Sequence, residues 1–397
     1  MAWPRHLNIL VWLKEIGMKR ALGFALVVAV FCGCSTTKVD ATTHATPPVA
    51  TLKVGVYADR GPGGIGAVEW FRLVEESPDM QLKLLDGASV RAGGLGGIDV
   101  LVMPGGSSMA EFESLGTNGV AKMKDFIRKG GGYIGTCAGC CLLMDGPKKR
   151  ANVIPWNTKG SEPDLLFPRF KLTDAGRAAL NITNKTVVMR YHGGPFMWPT
   201  TNKIEGANFE LWGTFDSEAT FKGSLNKKKS MYGAAAIVGG TYGKGRVFVT
   251  AAHPEYWDST LFVVKAAFKY VTGCDVEFPV RCRTPRAISV GFLAKGISGV
   301  ATAETALALA REQDFDLVLI DKDGIFMRRM DNIDVLVVTS DVAKSDKTIA
   351  KAVKAFAARG GKVVAYGSGV RALPEGGIAC EPREGVVRTI HALFSGK

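Results

Sequence analysis

Short apolar strands alternate with helical patterns along most of the sequence, and this alternation limits the fold more than any other feature. Leu52–Ala58 and Ile98–Met103 are largely apolar runs that contain several β-branched residues. Ile65–Glu76 and Val120–Lys129 place apolar residues at helical spacing. Apolar strands separated by helices are typical of a parallel sheet that is covered on both faces. The sequence therefore predicts an α/β fold with a doubly wound parallel sheet.

The same pattern returns in the last third of the chain. Ile333–Val337 matches Ile98–Val102 residue for residue, and Arg359-Gly360-Gly361 echoes Lys129-Gly130-Gly131. A repeat at a nearly constant offset indicates an internal duplication. In the second copy Gly367 occupies the place of Cys137. We expect a second, smaller α/β domain that is a degenerate repeat and that docks on the first domain or mediates self-association.

Composition divides the chain into four segments. Glu277–Arg286 holds two prolines and a cysteine and is the expected boundary between the two α/β domains. The predicted segments are a signal and lipobox region at residues 1–34, a tether at 35–48, a first α/β domain at 49–276 and a second at 287–397.

The amino-terminal segment is predicted to be an export signal. A basic start at Met18–Arg20 precedes the apolar run Ala21–Phe31, which is shorter than the roughly 20 residues that cross a bilayer. The run ends in a sequence that resembles a bacterial lipobox, with Cys34 as the lipidated residue. Synthesis could begin at Met1 or at Met18. We expect an exported bacterial lipoprotein, anchored to the membrane on the periplasmic or cell-surface side.

Charge and histidine content argue against two classes of function. The net charge is +13, but the basic clusters are not interleaved with aromatic residues as in a nucleic-acid platform. The five histidines are too few and too scattered to form a metal site. We therefore expect no nucleic-acid partner, no metal and no cofactor.

A cysteine takes the nucleophile position of a tight turn between a strand and a helix. Gly135-Thr136-Cys137-Ala138-Gly139 has the pattern Gly-x-nucleophile-x-Gly, in which the glycines leave room for a strained turn. The helix that follows aims its amino terminus at the sulfur, which favours the thiolate and lowers its pKa. We predict that the amides of Ala138 and of Gly105 or Gly106 form an oxyanion hole.

A second strand ends at His253-Pro254-Glu255. A histidine that acts as base toward a thiol needs a carboxylate to orient it, and Glu255 lies two residues away. Together with the glycine turn, this arrangement predicts a Cys137–His253–Glu255 triad. His192 is the other histidine outside the presequence, the tether and the tail.

Four stretches of the sequence together resemble the class I glutamine amidotransferase superfamily: Leu101–Gly106, Phe126–Gly139, Tyr191–Pro195 and Gly243–Glu255. More narrowly, the chain is similar to the amino-terminal domain of fungal-type biotin–protein ligases, which also occurs as a stand-alone bacterial protein. The resemblance covers roughly residues 52–275 and implies a flavodoxin-like sheet with a Cys–His–Glu site. We expect no biotin ligation, because the sequence shows no ligase catalytic domain.

The loop Tyr191–Pro195 follows a strand and carries two glycines. One interpretation is a substrate-binding loop beside the thiol, formed by Tyr191, His192, Gly193 and Gly194. The other is a turn that simply requires glycine.

Three functions remain open at this point. The first is a cysteine-dependent amidohydrolase that acts on a small-molecule carboxamide through a thioester. The second is a catalytically silent lipoprotein that binds a ligand or a partner. The third is a thiol redox protein, because Cys137-Ala138-Gly139-Cys140 is also a Cys-x-x-Cys motif at a helix start.

Overall fold

The fold is taken from a computed structural model, which describes residues 51–395 except 62–63, 148, 163–164, 218–230, 280–287, 295–298, 313, 321–324, 326–328 and 340–346. Residues 49–397 form one compact unit. The predicted signal region, the tether, Cys34 and most of the predicted boundary at 277–286 lie outside the described residues. In the described part of the chain, no helix has the length and apolarity to span a bilayer.

Strands and helices alternate as the sequence predicts. The first region contains β1 (Leu52–Tyr57), α1 (Gly64–Glu76), β2 (Met80–Leu85), α2 (Gly87–Arg91), β3 (Val100–Met103), α3 (Ser108–Arg128), β4 (Gly132–Thr136), α4 (Ala138–Leu143), β5 (Trp156–Thr158), β6 (Leu165–Leu166), β7 (Arg169–Leu172), α5 (Asp174–Leu180), β8 (Thr186–Val188), β9 (Tyr191–His192), β10 (Met197–Pro199), β11 (Ala207–Phe215), β12 (Ala235–Tyr242), β13 (Gly245–Thr250) and α6 (Leu261–Thr272). The second region contains β14 (Ile288–Leu293), α7 (Val300–Arg311), β15 (Phe315–Ile320), β16 (Val335–Val338), α8 (Lys347–Ala358), β17 (Lys362–Ala365), β18 (Ile378–Ala379) and α9 (Glu384–Phe394).

The main sheet has a parallel half and an antiparallel half. Its order is β2-β1-β3-β4-β13-β12-β11-β7-β8, with β10 and β5 attached beside β12. Strands β2, β1, β3, β4 and β13 run parallel, whereas β12, β11, β7 and β8 are joined by antiparallel pairs. The sequence predicts the parallel half of this sheet but not the antiparallel half.

Helices cover both faces of the parallel half, which is what a doubly wound sheet requires. On one face, α1 and α6 contribute Trp70, Phe71 and Phe268 to a fully buried core. On the other face, α3 and α4 pack Met123, Ile127 and Leu142 against the same strands. Removing this apolar area from water contributes roughly 25 cal/mol per Å². The carboxyl ends of the parallel strands are left facing the loops that carry the predicted site.

The second region repeats the arrangement of the first. Its sheet has the order β15-β14-β16-β17-β18, which corresponds to β2-β1-β3-β4-β13. An aspartate directly before the third strand makes the same contact in each copy. In the first copy Asp99 accepts a 2.8 Å hydrogen bond from the Lys53 amide, and in the second Asp334 accepts one of 2.8 Å from the Ser289 amide. The strand order, the register and this side-chain contact support the predicted duplication.

The two regions share one apolar core on the face that carries α1. Helix α7 packs against α1, and Leu307 and Val387 belong to the same core cluster as Trp70 and Phe71. At the rim of this contact, the Nε of Arg311 on α7 donates to the Glu75 carboxylate on α1 over 2.9 Å. The second region therefore lies directly against the helix that follows the first strand.

Candidate active site

Strand β4 ends in a strained turn at Cys137. This residue has φ 49° and ψ −101°, a left-handed conformation that residues with a side chain rarely adopt. The flanking glycines are required sterically. A Cβ at Gly139 would lie 2.1 Å from the carbonyl oxygen of Met103, and one at Gly135 would lie 2.7 Å from Cε1 of Tyr133. The turn therefore has the geometry that the sequence predicts for a nucleophile position.

Pairing of β4 with β13 brings the histidine to the cysteine. Thr136 and Thr250 are register partners at the ends of these strands, and the Cys137 amide donates to the Thr250 carbonyl over 2.8 Å. The chain then turns so that the His253 amide donates to the Arg190 carbonyl, also over 2.8 Å. Because the two parallel strands end at the same edge, Cys137 and His253 meet there despite their separation in sequence.

His253 contacts both of its predicted partners. Its Nδ1 lies 2.9 Å from Oε1 of Glu255, and its ring interacts with the side chain of Cys137. All three residues are nearly inaccessible, with exposures of 5% for Cys137, 5% for His253 and 1% for Glu255. Burial opposes a charge on His253, but the Glu255 carboxylate and the hydrogen bonds with Cys137 and Glu255 outweigh it, so the pKa of His253 rises to about 9.

Three further residues lie around the carboxylate of Glu255. The Thr136 hydroxyl lies 3.5 Å from Oε1 of Glu255, and the Trp70 indole Nε1 lies 3.3 Å from the same hydroxyl. A Cβ at Gly66 would lie 3.0 Å from Oε1 of Glu255 and 3.1 Å from Nδ1 of His253. Helix α1 can therefore approach the pair only because glycine stands at this position.

Among the predicted oxyanion residues, Gly105 lies against the side chain of Cys137. A Cβ at Gly105 would lie 2.5 Å from Cε1 of His253 and 3.1 Å from Cβ of Cys137, so Gly105 lies directly against both side chains. Gly106 has φ 146°, and Ala138 is the first residue of α4. The turn after β3 and the start of α4 thus both adjoin Cys137, from neighbouring strands.

The Tyr191–Gly194 loop covers the thiol from the side of β9. The Cys137 Sγ donates to the main-chain oxygen of His192 over 3.6 Å, while the His192 residue is exposed. The Gly193 amide donates to the Glu162 carbonyl over 2.9 Å. His192 therefore contributes its carbonyl to the site, and in this conformation the Gly193 amide is bonded within the protein.

Tyr191 fixes this loop from beneath. Its buried hydroxyl accepts a hydrogen bond from the Glu162 amide over 2.8 Å and donates to the Gly194 carbonyl over 2.6 Å. Burial raises the pKa of Tyr191 well above its ordinary value. Its hydroxyl consequently acts as a neutral structural bridge.

Cys140 lies in a different environment from Cys137. It is fully buried in the core on the α3 side, with its sulfur 3.4 Å from the sulfur of Met197. Burial raises the pKa of Cys140 well above its ordinary value. Thiol–disulfide exchange needs a thiolate and access to the sulfur, and the buried sulfur of Cys140 offers neither in this conformation, which disfavours the redox interpretation.

One acidic and histidine cluster lies away from the site. Glu312, Asp314 and His391 place ligand-type atoms within 4.8 Å of one another at the end of α7 and on α9. His391 already contacts Glu312 through Nε2 at 3.1 Å and Asp314 through Nδ1 at 3.6 Å. Both ring nitrogens are thus engaged by carboxylates.

Comparison with known families agrees with the resemblance in sequence. The family described as "Biotin-protein ligase, N terminal" matches residues 96–142, which contain β3, β4 and Cys137. A search of curated proteins finds no significant match.

Solved structures of similar architecture come from several bacteria. A ThuA-like protein from Bacteroides uniformis is 10% identical, with 58% of this chain and 96% of its own covered and a TM-score of 0.44. Another from Parabacteroides merdae is 12% identical, covering 58% and 94%, with a TM-score of 0.40. A glutamine amidotransferase from Thermotoga maritima is 13% identical, covering 55% and 82%, with a TM-score of 0.34.

The parallel sheet and its helices define the class of fold. The first region is a flavodoxin-like α/β fold with helices on both faces of its parallel strands, and a second α/β region follows it. Within the first region, the segment around Cys137 is similar to the amino-terminal domain of biotin–protein ligases.

Proposed function

We propose that the protein is a cysteine-dependent amidohydrolase in which Cys137 is the nucleophile, His253 the acid and base, and Glu255 the orienting carboxylate. The observation that carries the proposal is the contact chain from Glu255 to His253 to Cys137 at the end of two adjacent parallel strands. A strained turn places the thiol at its end. A thiol beside a histidine that a carboxylate orients is the arrangement that an activated cysteine nucleophile needs.

The reaction is a two-step acyl transfer. The thiol passes its proton to His253 and the sulfur attacks the carbonyl carbon of a carboxamide, which forms the C–S bond. His253 then protonates the nitrogen, the C–N bond breaks, and ammonia or an amine leaves behind a thioester. Water, deprotonated by His253, attacks the thioester, the C–S bond breaks, and the carboxylic acid and the thiol are released.

The raised pKa of His253 supports its part in this sequence. With a pKa of about 9, the imidazole retains at neutral pH the proton that it takes from the thiol, and it stays paired with Glu255. A cation beside the sulfur stabilises the negative charge that the thiol acquires when it loses its proton. The amides of Ala138 and of Gly105 or Gly106 would stabilise the negative oxygen of the tetrahedral intermediate.

The proposed location is outside the cytoplasm. Cleavage at the lipobox would leave Cys34 as the lipidated amino-terminal residue, with residues 35–48 as a tether between the lipid and the α/β regions. Mass spectrometry of the membrane-extracted protein should find a diacylated or triacylated Cys34. An unmodified amino terminus at another residue would contradict this part of the proposal.

Ammonia release tests the activity. Soluble protein that begins at residue 49 would be screened against primary carboxamides, including glutamine and small amide-bearing metabolites, with ammonia detected by a coupled assay. Cys137→Ala should abolish turnover, and Cys140→Ala should retain it because that buried thiol does not touch His253. Equal turnover in wild type and Cys137→Ala would contradict the proposal.

A second candidate function is ligand binding without turnover. A cavity of about 660 Å³ lies at the carboxyl edge of the second sheet, lined by residues that include Thr302, Gly367 and Cys380. Ligands of doubly wound sheets bind at this edge. Thermal-shift screening of the Cys137→Ala variant would find ligands that stabilise the protein. Each such ligand would then be incubated with wild type, and its recovery without chemical change would support binding alone.

A further inference from the structure

Tyr256 connects the turn that carries Glu255 to the second region. It closes the 3-10 turn Pro254–Tyr256, directly after the orienting carboxylate. Two guanidinium groups contact its ring, with Cζ of Arg190 4.6 Å and Cζ of Arg329 5.1 Å from the ring centroid. These are cation–π distances, and both guanidinium groups are attracted to the face of the aromatic ring.

The two arginines come from different regions. Arg190 belongs to the first region, where its carbonyl also accepts the His253 amide. Arg329 begins the 3-10 turn Arg329–Asn332 of the second region, and its Nη1 donates to the Leu319 carbonyl on β15 over 3.2 Å. The Arg329 guanidinium is therefore attached to the second sheet and reaches across to the ring of Tyr256.

A second contact joins the same elements. Helix α1 packs against both α7 and β15 of the second region and against the turn Pro254–Tyr256. Its Gly66 lies so close to His253 and Glu255 that a Cβ there would stand about 3 Å from each. The second region thus adjoins both elements that lie behind the histidine–carboxylate pair.

We infer that Arg329 is a positioning residue for the site, acting through Tyr256 to hold Glu255 against His253. The inference rests on the proposed function, because it assigns the second region a role at the Cys137–His253–Glu255 site. It also explains why a repeat that lacks a nucleophile is retained in contact with the first region. Arg329 itself touches none of the three residues of the proposed triad.

The loss of Arg329 should change the pH at which His253 loses its proton. The charged or ionisable groups that act on its ring are Glu255 and Cys137, and Glu255 favours the imidazolium. Without Arg329, the ring of Tyr256 would lose one guanidinium contact, and Glu255 would stay less closely against Nδ1. His253 would then lose its proton at a lower pH, and the reactivity of Cys137 would change over a lower pH range.

The test measures alkylation of Cys137 by iodoacetamide from pH 5 to pH 10, with peptide mapping to assign the labelled residue. Arg329→Gln should lower the His253-dependent rate about threefold to tenfold, the range expected from the loss of one cation–π contact. It should also move the upper inflection of the pH profile to lower pH. Arg329→Lys keeps a cation and should recover part of both effects.

Arg311→Gln is the matched control. It removes the same charge from the second region and breaks a contact with α1, but it does not reach Tyr256. Its pH profile should equal that of wild type. The inference is overturned if Arg329→Gln matches wild type, or if Arg311→Gln shows the same change as Arg329→Gln.

Further variants distinguish a failure of this inference from a failure of the proposed triad. If His253→Ala leaves the labelling of Cys137 unchanged, the proposed triad fails, whatever Arg329 does. If Arg329→Gln does not fold, Tyr256→Leu removes the ring that Arg329 contacts, and Tyr256→Phe retains an aromatic face. Tyr256→Leu should reproduce the shifted profile and Tyr256→Phe should not, and equal profiles for the two would overturn the inference.

Discussion

Gly367 in the second sheet has φ 55°, and Cys137 in the first sheet has φ 49°. Each residue lies just beyond the fourth strand of its copy, β17 or β4, which pairs in the same register with β16 or β3. The strained turn is therefore present twice, once with a thiol and once without a side chain. A backbone that glycine adopts at no steric cost is strained at Cys137, as expected if the side chain of Cys137 has the role proposed for it.

The two turns allow the effect of the backbone to be separated from that of the histidine. In a Cys137→Ala background, Gly367→Cys places a thiol on an equivalent turn that has no His253 or Glu255 beside it. We expect the introduced thiol to behave as an ordinary cysteine, with a labelling midpoint near pH 8.5. At pH 7 it should react at least about tenfold more slowly than Cys137 does in wild type. Equal rates at pH 7 would mean that the turn alone activates the sulfur.

A side chain at position 105 should disturb the site sterically. A methyl group there would lie 2.5 Å from Cε1 of His253, so Gly105→Ala must displace the imidazole or the turn after β3. We expect the His253-dependent labelling of Cys137 to fall about tenfold or more, with a loss of stability of about 1–3 kcal/mol. Alkylation kinetics and thermal unfolding would measure the two effects.

Gly96→Ala serves as its control. Gly96 is exposed, and a Cβ there would meet its nearest neighbour, the Gly93 carbonyl oxygen, at 3.3 Å. This variant should keep the wild-type labelling rate. Normal labelling in Gly105→Ala as well would show that the imidazole does not need its observed position.

Tyr191 controls access to the thiol through the loop above it. Tyr191→Phe removes the hydroxyl that bonds both the Glu162 amide and the Gly194 carbonyl, and it leaves these buried groups unsatisfied. The expected cost is about 1–3 kcal/mol of stability. The His192 carbonyl should then leave the sulfur more often, so a bulky maleimide should label Cys137 faster than in wild type.

Tyr242→Phe is a comparable change at the last residue of strand β12, beside the start of β13 and away from the site. Its buried hydroxyl accepts a 2.6 Å hydrogen bond from Arg128. It should lower stability without changing maleimide labelling of Cys137. Hydrogen exchange of residues 191–196 should rise only in Tyr191→Phe, and equal exchange in the two variants would contradict the proposed role of Tyr191.

The sequence predicts the parallel half of the fold because each of its strands is a local apolar run. Helix α3 shows where local patterns fail. The apolar spacing predicts a start at Val120, but the helix begins at Ser108, capped by Ser107 and interrupted at Gly116. The antiparallel strands β5 to β12 are mostly short or mixed in polarity. Their existence depends on pairing with distant strands, which no local pattern encodes.

The same distinction applies to the candidate site. Cys137 lies in a short motif with a known geometric meaning, and His253 and Glu255 lie two residues apart, so local spacing suffices to predict them. Trp70 and Gly66 come from a helix whose position depends on tertiary packing. Thr136 lies within the predicted motif, but the contact of its hydroxyl with Glu255 depends on the pairing of β4 with β13.

The buried carboxyl of Glu111 should make the stability of the protein depend on pH. It lies in the first turn of α3 with no exposed surface, and neither carboxylate oxygen has a hydrogen-bond partner among the described residues. Burial raises the pKa of Glu111 to about 8, although the charge of Arg150 opposes the rise. The folded protein therefore holds this carboxyl protonated at neutral pH.

The sign of the effect follows from proton binding in the two states. Below pH 4.5, the ordinary value, the carboxyl is protonated in both the folded and the unfolded protein. Between pH 4.5 and about 8 the unfolded chain releases the proton while the folded protein keeps it, so the free energy of unfolding falls as pH rises. Glu111→Gln cannot release a proton and should not show this fall. Between pH 4 and pH 8 the free energy of unfolding of the variant should therefore rise relative to that of wild type, by an amount on the order of a few kcal/mol.

Thermal or urea unfolding at pH 4, 6 and 8 would measure the difference between wild type and Glu111→Gln. Glu113→Gln is the control, since Glu113 lies on the same helix, is exposed and pairs with Lys149. The Lys149 contact lowers the pKa of Glu113, so its stabilising effect is present above the ordinary value and is lost as pH falls. The two variants should therefore differ from wild type in opposite directions at pH 8, with the larger change in Glu111→Gln. A pH-independent effect of Glu111→Gln would mean that the Glu111 carboxyl is already ionised in the folded protein.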